Sequence, residues 1–172
     1  MSYLSLTARI GGAAAIAAAF CTVAEPALAA DELNSGDTAW MLTSSLLVLL
    51  MTIPGVALFY GGMVRKKNVL ATIMQSFAVC CMATVVWMII GYSLAFSGEG
   101  PIVGDLGQIF LKGIGVGSMS GTIPESVFMM FQMTFAIITP ALITGAVAER
   151  IKFSSLMVFL AIWLVVVYAP IC

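Results

Sequence analysis

The sequence predicts an all-α membrane protein with four transmembrane helices. Of its 172 residues, 62% are hydrophobic and only 9% are charged, whereas a soluble domain carries about 25% charged residues. The apolar residues form runs of at least about 18, the length of a membrane-spanning helix, and do not show the short alternating pattern of barrel strands. A soluble globule is therefore excluded, and helices are favoured as the spanning elements.

The first 29 residues have the composition of a secretory signal peptide. Arg9 precedes an apolar stretch over residues 10–23, and Ala27-Leu28-Ala29 has the small-residue pattern of a cleavage site. We therefore expect cleavage after Ala29, with residues 30–172 forming the transmembrane domain. An uncleaved membrane anchor is the alternative.

Four apolar segments of the mature chain are long enough to cross a bilayer. They cover residues 38–64, 69–96, 124–148 and 153–170. Two tight turns, 65–68 and 149–152, join the first segment to the second and the third to the fourth. The second and third are joined by a glycine-rich loop over residues 97–123, in which we expect one short helix near residues 106–111.

Proline and small residues predict the shape and packing of these helices. Pro54 and Pro140 each remove a backbone hydrogen bond, so we expect bends in the first and third helices. Such bends occur around transport pathways and also where neighbouring helices simply satisfy the freed carbonyl groups. Ala57 and Gly61 lie four residues apart, and such a pair of small residues lets another helix approach closely.

The basic residues predict how the protein is oriented in the membrane. Lys112 lies in the long loop, whereas the two tight turns contain Arg65, Lys66, Lys67, Arg150 and Lys152. Cytoplasmic loops are enriched in Lys and Arg. We therefore expect a multi-pass protein of the inner (plasma) membrane with its tight turns in the cytoplasm and its mature N-terminus outside. Runs such as 65–67 also attract anionic lipids, although determining topology is their commoner role.

Composition also excludes several classes of function. The net charge is −1, so the chain lacks the basic surface that nucleic-acid binding needs. The sequence contains no His and no Cys-x-x-C spacing, so we predict no metal site and no cofactor. Every carboxylate lies near a membrane edge, and no catalytic group is expected. The bilayer is the expected surrounding, and an enzyme is not predicted.

The third span carries the candidate functional residues. Phe131, Phe135 and Ile138 recur at steps of three and four, so they share one helix face, which continues with Leu142 and Gly145. Aromatic residues at this spacing usually pack or face lipid. The functional interpretation is a narrow apolar route whose outer ring attracts a small cation through its face. Polar residues such as Gln132 must face either a bundle or a pore.

Several long strings resemble the ammonium transporters of the Amt/Mep/Rh family. They are MTIPGVALFYGG at 51–62, RKKNVL at 65–70, GYSLAF at 91–96 and GAVAER at 145–150. The resemblance covers about residues 37–172 and identifies the chain as the N-terminal part of a bacterial-type ammonium transporter. It implies a fold of eleven transmembrane helices in two inverted halves. It also implies a homotrimer with a channel-like pore in each subunit, which conducts ammonium or ammonia into the cell.

The same resemblance implies roles for individual residues. Phe131 corresponds to the outer Phe of the external ammonium site, with Gln132 beside it in the substrate-binding region. Phe135 corresponds to the Phe that closes the pore, and Ile138 would line the route nearby. The pair of pore histidines and the Trp of the outer site, which the family places in later helices, are not among these 172 residues. A cytoplasmic regulatory protein is a further expected partner.

Two hypotheses for function follow. The first is a truncated N-terminal part of an ammonium transporter, whose full-length form takes up ammonium through a pore in each subunit. The second is a small helical membrane scaffold or accessory subunit without transport activity, which uses the same four helices to bind a partner.

Overall fold

A computed structural model describes residues 32–98 and 103–172, so the predicted signal peptide (1–29) lies outside the described residues. Within these ranges, four helices are long and apolar enough to cross a membrane: α1 (Ser35–Met63), α2 (Lys66–Phe96), α3 (Glu125–Ala146) and α4 (Phe153–Ile171). They correspond to the four predicted spans, and the all-α membrane fold class is confirmed.

Helix α1 begins at a side-chain cap. The Asn34 side-chain oxygen accepts hydrogen bonds from the backbone N–H groups of Gly36 and Asp37, at 2.9 and 3.2 Å. Such a cap satisfies donors that have no partner within the helix, and the Asp37 carboxylate in the first turn is favourable at the positive end of the helix dipole. The chain leaves α1 when Val64 takes an extended conformation.

Three of the spanning helices contain a π-helical turn. These turns cover Met51–Val56 in α1, Trp87–Gly91 in α2 and Leu164–Tyr168 in α4. The turn in α1 includes Pro54, which cannot donate a backbone hydrogen bond; the bends predicted at Pro54 and Pro140 stay predictions. Helix α3 is α-helical over its whole length, including Pro140.

Small residues let α1 and α2 approach closely, as the sequence predicted. Ala57 is 2% exposed and Gly61 is buried. A Cβ atom added at Gly61 would lie 3.3 Å from Cγ1 of Ile73 in α2, a tight contact to which the Ile73 side chain would have to adjust by a few tenths of an ångström. The absence of a side chain at Gly61 therefore favours the close packing of the two helices here.

The loop between α2 and α3 contains more structure than the sequence predicted. A short β-hairpin pairs β1 (Met119–Ser120) with the antiparallel strand β2 (Ile123–Pro124), with Met119 opposite Pro124 and Ser120 opposite Ile123. The helix expected near residues 106–111 is a single 3₁₀ turn, Ile109–Leu111. Thr122, at the hairpin tip, donates to the Asp37 carboxylate at 2.7 Å and so ties the hairpin to the start of α1.

The helices pack around two buried clusters. We call the end of the bundle that contains residues 64–68 and 147–152 the turn end, and the end that contains the long loop the loop end. The cluster towards the turn end contains Val56, Val79, Ile138, Ala141, Leu156 and Leu160. The cluster towards the loop end contains Ala83, Trp87, Tyr92, Ala136, Ile137 and Leu164.

Candidate functional site

Phe131 and Phe135 form an aromatic pair on the half of α3 nearest the loop end. Their ring centroids are 5.1 Å apart and the ring planes are inclined by 72°, an edge-to-face arrangement that is favourable for aromatic side chains. Both residues carry a local backbone contact. Thr134 Oγ1 donates to the Phe131 carbonyl at 2.6 Å, and Thr139 Oγ1 donates to the Phe135 carbonyl at 2.8 Å.

The predicted face of α3 is not uniform in its surroundings. Phe135 is 37% exposed, and Leu142, two turns further on, is 50% exposed. Phe131 and Gln132 are half-buried. Ile138 is only 8% exposed, because it packs in the buried cluster with Val56 and Leu156. The structure therefore brings Phe131 and Phe135 together at an accessible position, and it places Ile138 in the interior of the bundle.

A cluster of aromatic side chains from α2 and α4 packs against the loop-end half of α3. Trp87 is fully buried, and its ring centroid lies 6.1–6.2 Å from those of Tyr92, Phe96 and Tyr168. Phe96 in turn meets Phe128 of α3 edge-on at 5.1 Å. Rigid aromatic packing of this kind fixes the helix that carries the Phe131–Phe135 pair.

The first turn of α3 is also held by a polar contact. The Tyr92 hydroxyl donates to the Glu125 carboxylate at 3.1 Å, and Tyr92 is only 3% exposed. Because Glu125 is the first residue of α3, this bond connects the end of α2 to the start of the helix that carries the candidate site. This pair was not predictable from the sequence, since the two residues are separated by the long loop.

At the turn end, one carboxylate joins the two tight turns. Glu149 accepts hydrogen bonds from Asn68 Nδ2 at 2.8 Å and from the backbone N–H of Arg65 at 3.1 Å. Arg65 Nε lies 3.7 Å from the other Glu149 oxygen. The Asn68 and Arg65 hydrogen bonds and the nearby positive charges hold the pKa of the Glu149 carboxyl below its usual range. This contact was not predicted from the sequence, because it joins turns more than 80 residues apart.

A tyrosine on α1 fixes the turn-end half of α3. The Tyr60 hydroxyl donates to the Leu142 carbonyl at 3.0 Å. The Tyr60 ring lies so close to Gly145 that a Cβ atom there would be 2.2 Å from ring atom Cε1. A methyl group at position 145 would overlap the ring unless the Tyr60 side chain moved. This contact explains one glycine of the GAVAER string.

Within residues 32–98 and 103–172, no group of three His, Cys, Asp or Glu side chains could hold a metal ion. On α3, the two aromatic rings lie near Thr134 and Thr139, whose hydroxyl groups donate to the helix backbone.

Comparison with known proteins identifies the family. The profile described as "Ammonium Transporter Family" matches residues 39–172. The chain belongs to this family. The Bacillus subtilis (strain 168) ammonium transporter is 50% identical over 141 residues, which are 81% of this chain and 35% of that protein. Ammonium transporter Amt1 of Archaeoglobus fulgidus is 42% identical over 139 residues, 80% of this chain and 34% of that protein.

Solved structures agree with the sequence relatives. Candida albicans Mep2 superimposes with a TM-score of 0.73 at 39% identity, over 81% of this chain and 31% of that one. Saccharomyces cerevisiae Mep2 gives a TM-score of 0.72 at 32% identity, with 81% and 31% covered. The chain thus spans about a third of the length of the relatives it matches. The resemblance read from the sequence is confirmed, and the chain is a multi-pass membrane protein of the ammonium transporter fold.

Proposed function

We propose that this chain forms part of a subunit that takes up ammonium or ammonia across the inner (plasma) membrane, and that it has no enzymatic activity. The observation that carries the proposal is the Phe131–Phe135 edge-to-face pair on α3, in a chain that belongs to a family of transporters. Because the chain spans about a third of its relatives, the proposal concerns the part of the pathway that these residues supply.

The two rings suit successive steps of such a pathway. An aromatic face attracts a cation, with a contribution of about 0.5–2 kcal/mol depending on how far the cation is dehydrated. We therefore assign Phe131 and the adjacent Gln132 to the collection of ammonium at the outer site. Phe135 stands one helical turn further from the loop end along α3, and we assign it to the gate.

Beyond the gate, the surroundings favour a neutral molecule. An ion that loses its water in an apolar slot is very costly unless it is paired or gives up its charge. Ile138 lies one turn beyond Phe135 in an apolar cluster, and we assign it to the wall of this route. The route is thus one along which ammonia is less costly to move than ammonium.

The proposed assembly is a homotrimer with one pore in each subunit. The mature N-terminus is placed outside and the tight turns in the cytoplasm, where a regulatory protein would have access to them. The clustering of five basic residues in those turns supports this orientation.

A chimeric transporter tests the proposal. Residues 39–172 replace the aligned segment of the Bacillus subtilis ammonium transporter, in cells that have no ammonium transporter of their own. We expect the chimera to take up labelled methylammonium. Replacement of Phe131 by Ala should raise KM roughly tenfold, because the cation loses the ring that attracts it. Replacement of Phe135 by Ala should change the maximal rate, because the gate is altered.

Phe77→Ala is the matched control, since Phe77 is an exposed ring on α2 and not on α3. It should leave both KM and the maximal rate unchanged. A chimera that reaches the membrane as a trimer but takes up no methylammonium would support the accessory-subunit hypothesis instead. An unchanged KM for methylammonium in Phe131→Ala would contradict the assignment of Phe131 to ammonium collection.

A further inference from the structure

The face of α3 that carries Phe131 and Phe135 leads to a pocket at the turn end. Leu142 and Gly145 continue this face, and the Tyr60 ring packs against Gly145. Beside that contact lies a cavity of about 190 Å³, which is lined by Tyr60, Met63, Val64, Gly145, Ala148 and Glu149. A water molecule occupies about 30 Å³ of the liquid. The cavity therefore has room for one ammonium ion, which is similar in size to water, together with several water molecules.

Glu149 supplies this pocket with a carboxylate oxygen that is not used elsewhere. Its Oε1 atom accepts both hydrogen bonds that join the turns, from Asn68 and from Arg65. Its Oε2 atom accepts no hydrogen bond from the residues that the structure describes, and its ion-pair partner, Arg65 Nε, is 3.7 Å away. Each carboxylate oxygen has two lone-pair sites. Oε2 therefore remains as an acceptor for a ligand in the pocket.

The backbone at Glu149 is strained. Its φ angle of 64° lies in the left-handed region, which favours glycine and is rare for a residue with a long side chain. Strained residues of this kind cluster at binding and catalytic sites, where the surrounding structure holds them in place. The carboxylate joins the two turns through Oε1, and Oε2 is available for a second use.

Tyr60 and the end of α3 add further groups that attract a small cation. The Tyr60 hydroxyl donates its hydrogen to the Leu142 carbonyl, so its oxygen keeps lone pairs for another donor. The face of the ring also attracts cations. Helix α3 ends at Ala146, and the last carbonyl groups of a helix have no partner within it and form its negative pole. The pocket thus combines two side-chain oxygens, an aromatic ring and a helix pole.

The charges around the pocket predict weak binding. The lowered pKa of Glu149 keeps its carboxylate ionised at neutral pH, and the positive charges of Arg65 and Lys67 lie near it. Because these cations offset the charge of the carboxylate, attraction depends on directed acceptor atoms, to which the four N–H groups of ammonium can donate. A conducting path needs sites that bind an ion strongly enough to be entered and weakly enough to be left. A weak site suits the end of such a path.

We propose that this pocket is an inner ammonium site, in which the ion donates hydrogen bonds to Glu149 Oε2, to the Tyr60 hydroxyl and to the last carbonyl groups of α3. The inference rests on the proposed function, because it adds a second site at the other end of the same face of α3. An ion that enters from the side of the tight turns binds here first.

Transport measured separately from each side tests the inference. The chimera with residues 39–172 is prepared in membrane vesicles of both orientations, and initial rates of labelled methylammonium uptake give one KM for entry from the turn end and one for entry from the loop end. Glu149→Gln should raise the turn-end KM about tenfold, because a hydrogen bond to a charged group is lost. It should leave the loop-end KM unchanged. The ratio of maximal rate to KM should stay constant, because the site holds the ion before the barrier and not at it.

A second variant and a control accompany Glu149→Gln. Tyr60→Phe keeps the ring and removes the hydroxyl, and should raise the turn-end KM about threefold through the loss of a neutral acceptor. Asn68→Ala is the control, since it removes a hydrogen bond that joins the turns and leaves the carboxylate in place. It should leave the turn-end KM unchanged. If Glu149→Gln does not reach the membrane, Tyr60→Phe alone decides the outcome.

Two outcomes would overturn the inner site. One is an unchanged turn-end KM in Glu149→Gln and Tyr60→Phe. The other is a rise in Asn68→Ala as large as that in Glu149→Gln, because the carboxylate would then serve only to join the turns. The proposed function fails separately, if the unsubstituted chimera takes up no methylammonium or if Phe131→Ala leaves the loop-end KM unchanged. Uptake that depends on Phe131 but not on Glu149 would contradict the inner site alone.

Discussion

The two ends of the bundle are closed in different ways. At the turn end, the hydrogen bonds from Arg65 and Asn68 to Glu149 and from Tyr60 to Leu142 join residues more than 80 positions apart, and two of these three bonds end on one carboxylate. At the loop end, the contacts are more numerous and more dispersed.

Several of the loop-end contacts are local. Asp105 accepts from the Ser97 hydroxyl and from the Gly107 backbone, and the Asp105 carbonyl accepts from the Ser93 hydroxyl. Two further bonds are long-range: Tyr92 to Glu125 connects α2 to α3, and Thr122 to Asp37 connects the hairpin to α1. The comparison shows that a short turn concentrates its tertiary contacts on few residues, whereas a long loop distributes them. Single substitutions should therefore change the free energy of unfolding by different amounts at the two ends.

The largest expected effect is at Gly145 of the turn end. A Cβ atom there would lie 2.2 Å from the Tyr60 ring, and overpacking of this kind costs about 3 kcal/mol. We expect Gly145→Ala to lower the free energy of unfolding by about that amount, measured by denaturation in mixed detergent micelles. Gly62→Ala is the control, because nothing lies within 4 Å of its added Cβ. Equal stability of the two variants would show that the Tyr60–Gly145 contact does not contribute to the stability of the turn end.

The same chemical change at each end sharpens the comparison. Tyr92→Phe removes a half-buried hydrogen bond to a carboxylate at the loop end, and Tyr60→Phe removes an exposed one to a carbonyl at the turn end. Hydrogen bonds to charged groups contribute more than neutral ones. We expect losses of about 1.5 kcal/mol for Tyr92→Phe and about 0.5 kcal/mol for Tyr60→Phe in the same denaturation experiment. A reversed order would mean that the turn end depends more on its hydroxyl contact.

The smallest expected effect is a loss of stability on acidification, to which one carboxylate at each end should contribute. Hydrogen bonds lower the pKa of Glu149 at the turn end and of Asp105, chiefly through Ser97, at the loop end. Each carboxylate thus stabilises the fold above its unfolded-state pKa, about 4 for these groups. This stabilisation is lost as pH falls through the lower folded-state value.

Unfolding curves between pH 6 and pH 3 measure this dependence. Glu149→Gln should reduce the loss of stability on acidification, Asp105→Asn should reduce it by a similar amount, and the double variant should be flatter than either. An acid profile of Glu149→Gln that coincides with that of the unsubstituted chain would mean that this carboxylate is not bonded in the folded protein.

The spanning helices could be predicted from the sequence because their signals are local. Long apolar runs, basic turns and the Ala57–Gly61 spacing each depend on residues close together in the chain, and the structure contains the expected helices and the close approach of α2. The hairpin of β1 and β2 was missed because strands of two residues carry no periodicity.

The candidate site was only partly predictable. Spacing placed Phe131, Phe135 and Ile138 on one face of α3, but it could not show that the face changes from exposed at Phe135 to buried at Ile138. That change depends on where α1 and α4 contact α3, and helix periodicity contains no information about neighbours. The Glu149 contacts were invisible for a similar reason, because they join two turns that are distant in sequence.

The separation of charge between the two ends has an electrical consequence. The turn end has five cations and one carboxylate, whereas the described part of the loop end has Lys112 and the carboxylates of Glu32, Asp37, Asp105 and Glu125. The bundle is therefore a dipole along the membrane normal. A membrane potential contributes about 2.3 kcal/mol for each unit charge per 100 mV. A membrane potential that is negative inside would favour the proposed orientation, in which the basic end lies in the cytoplasm, and would oppose inversion of the inserted bundle.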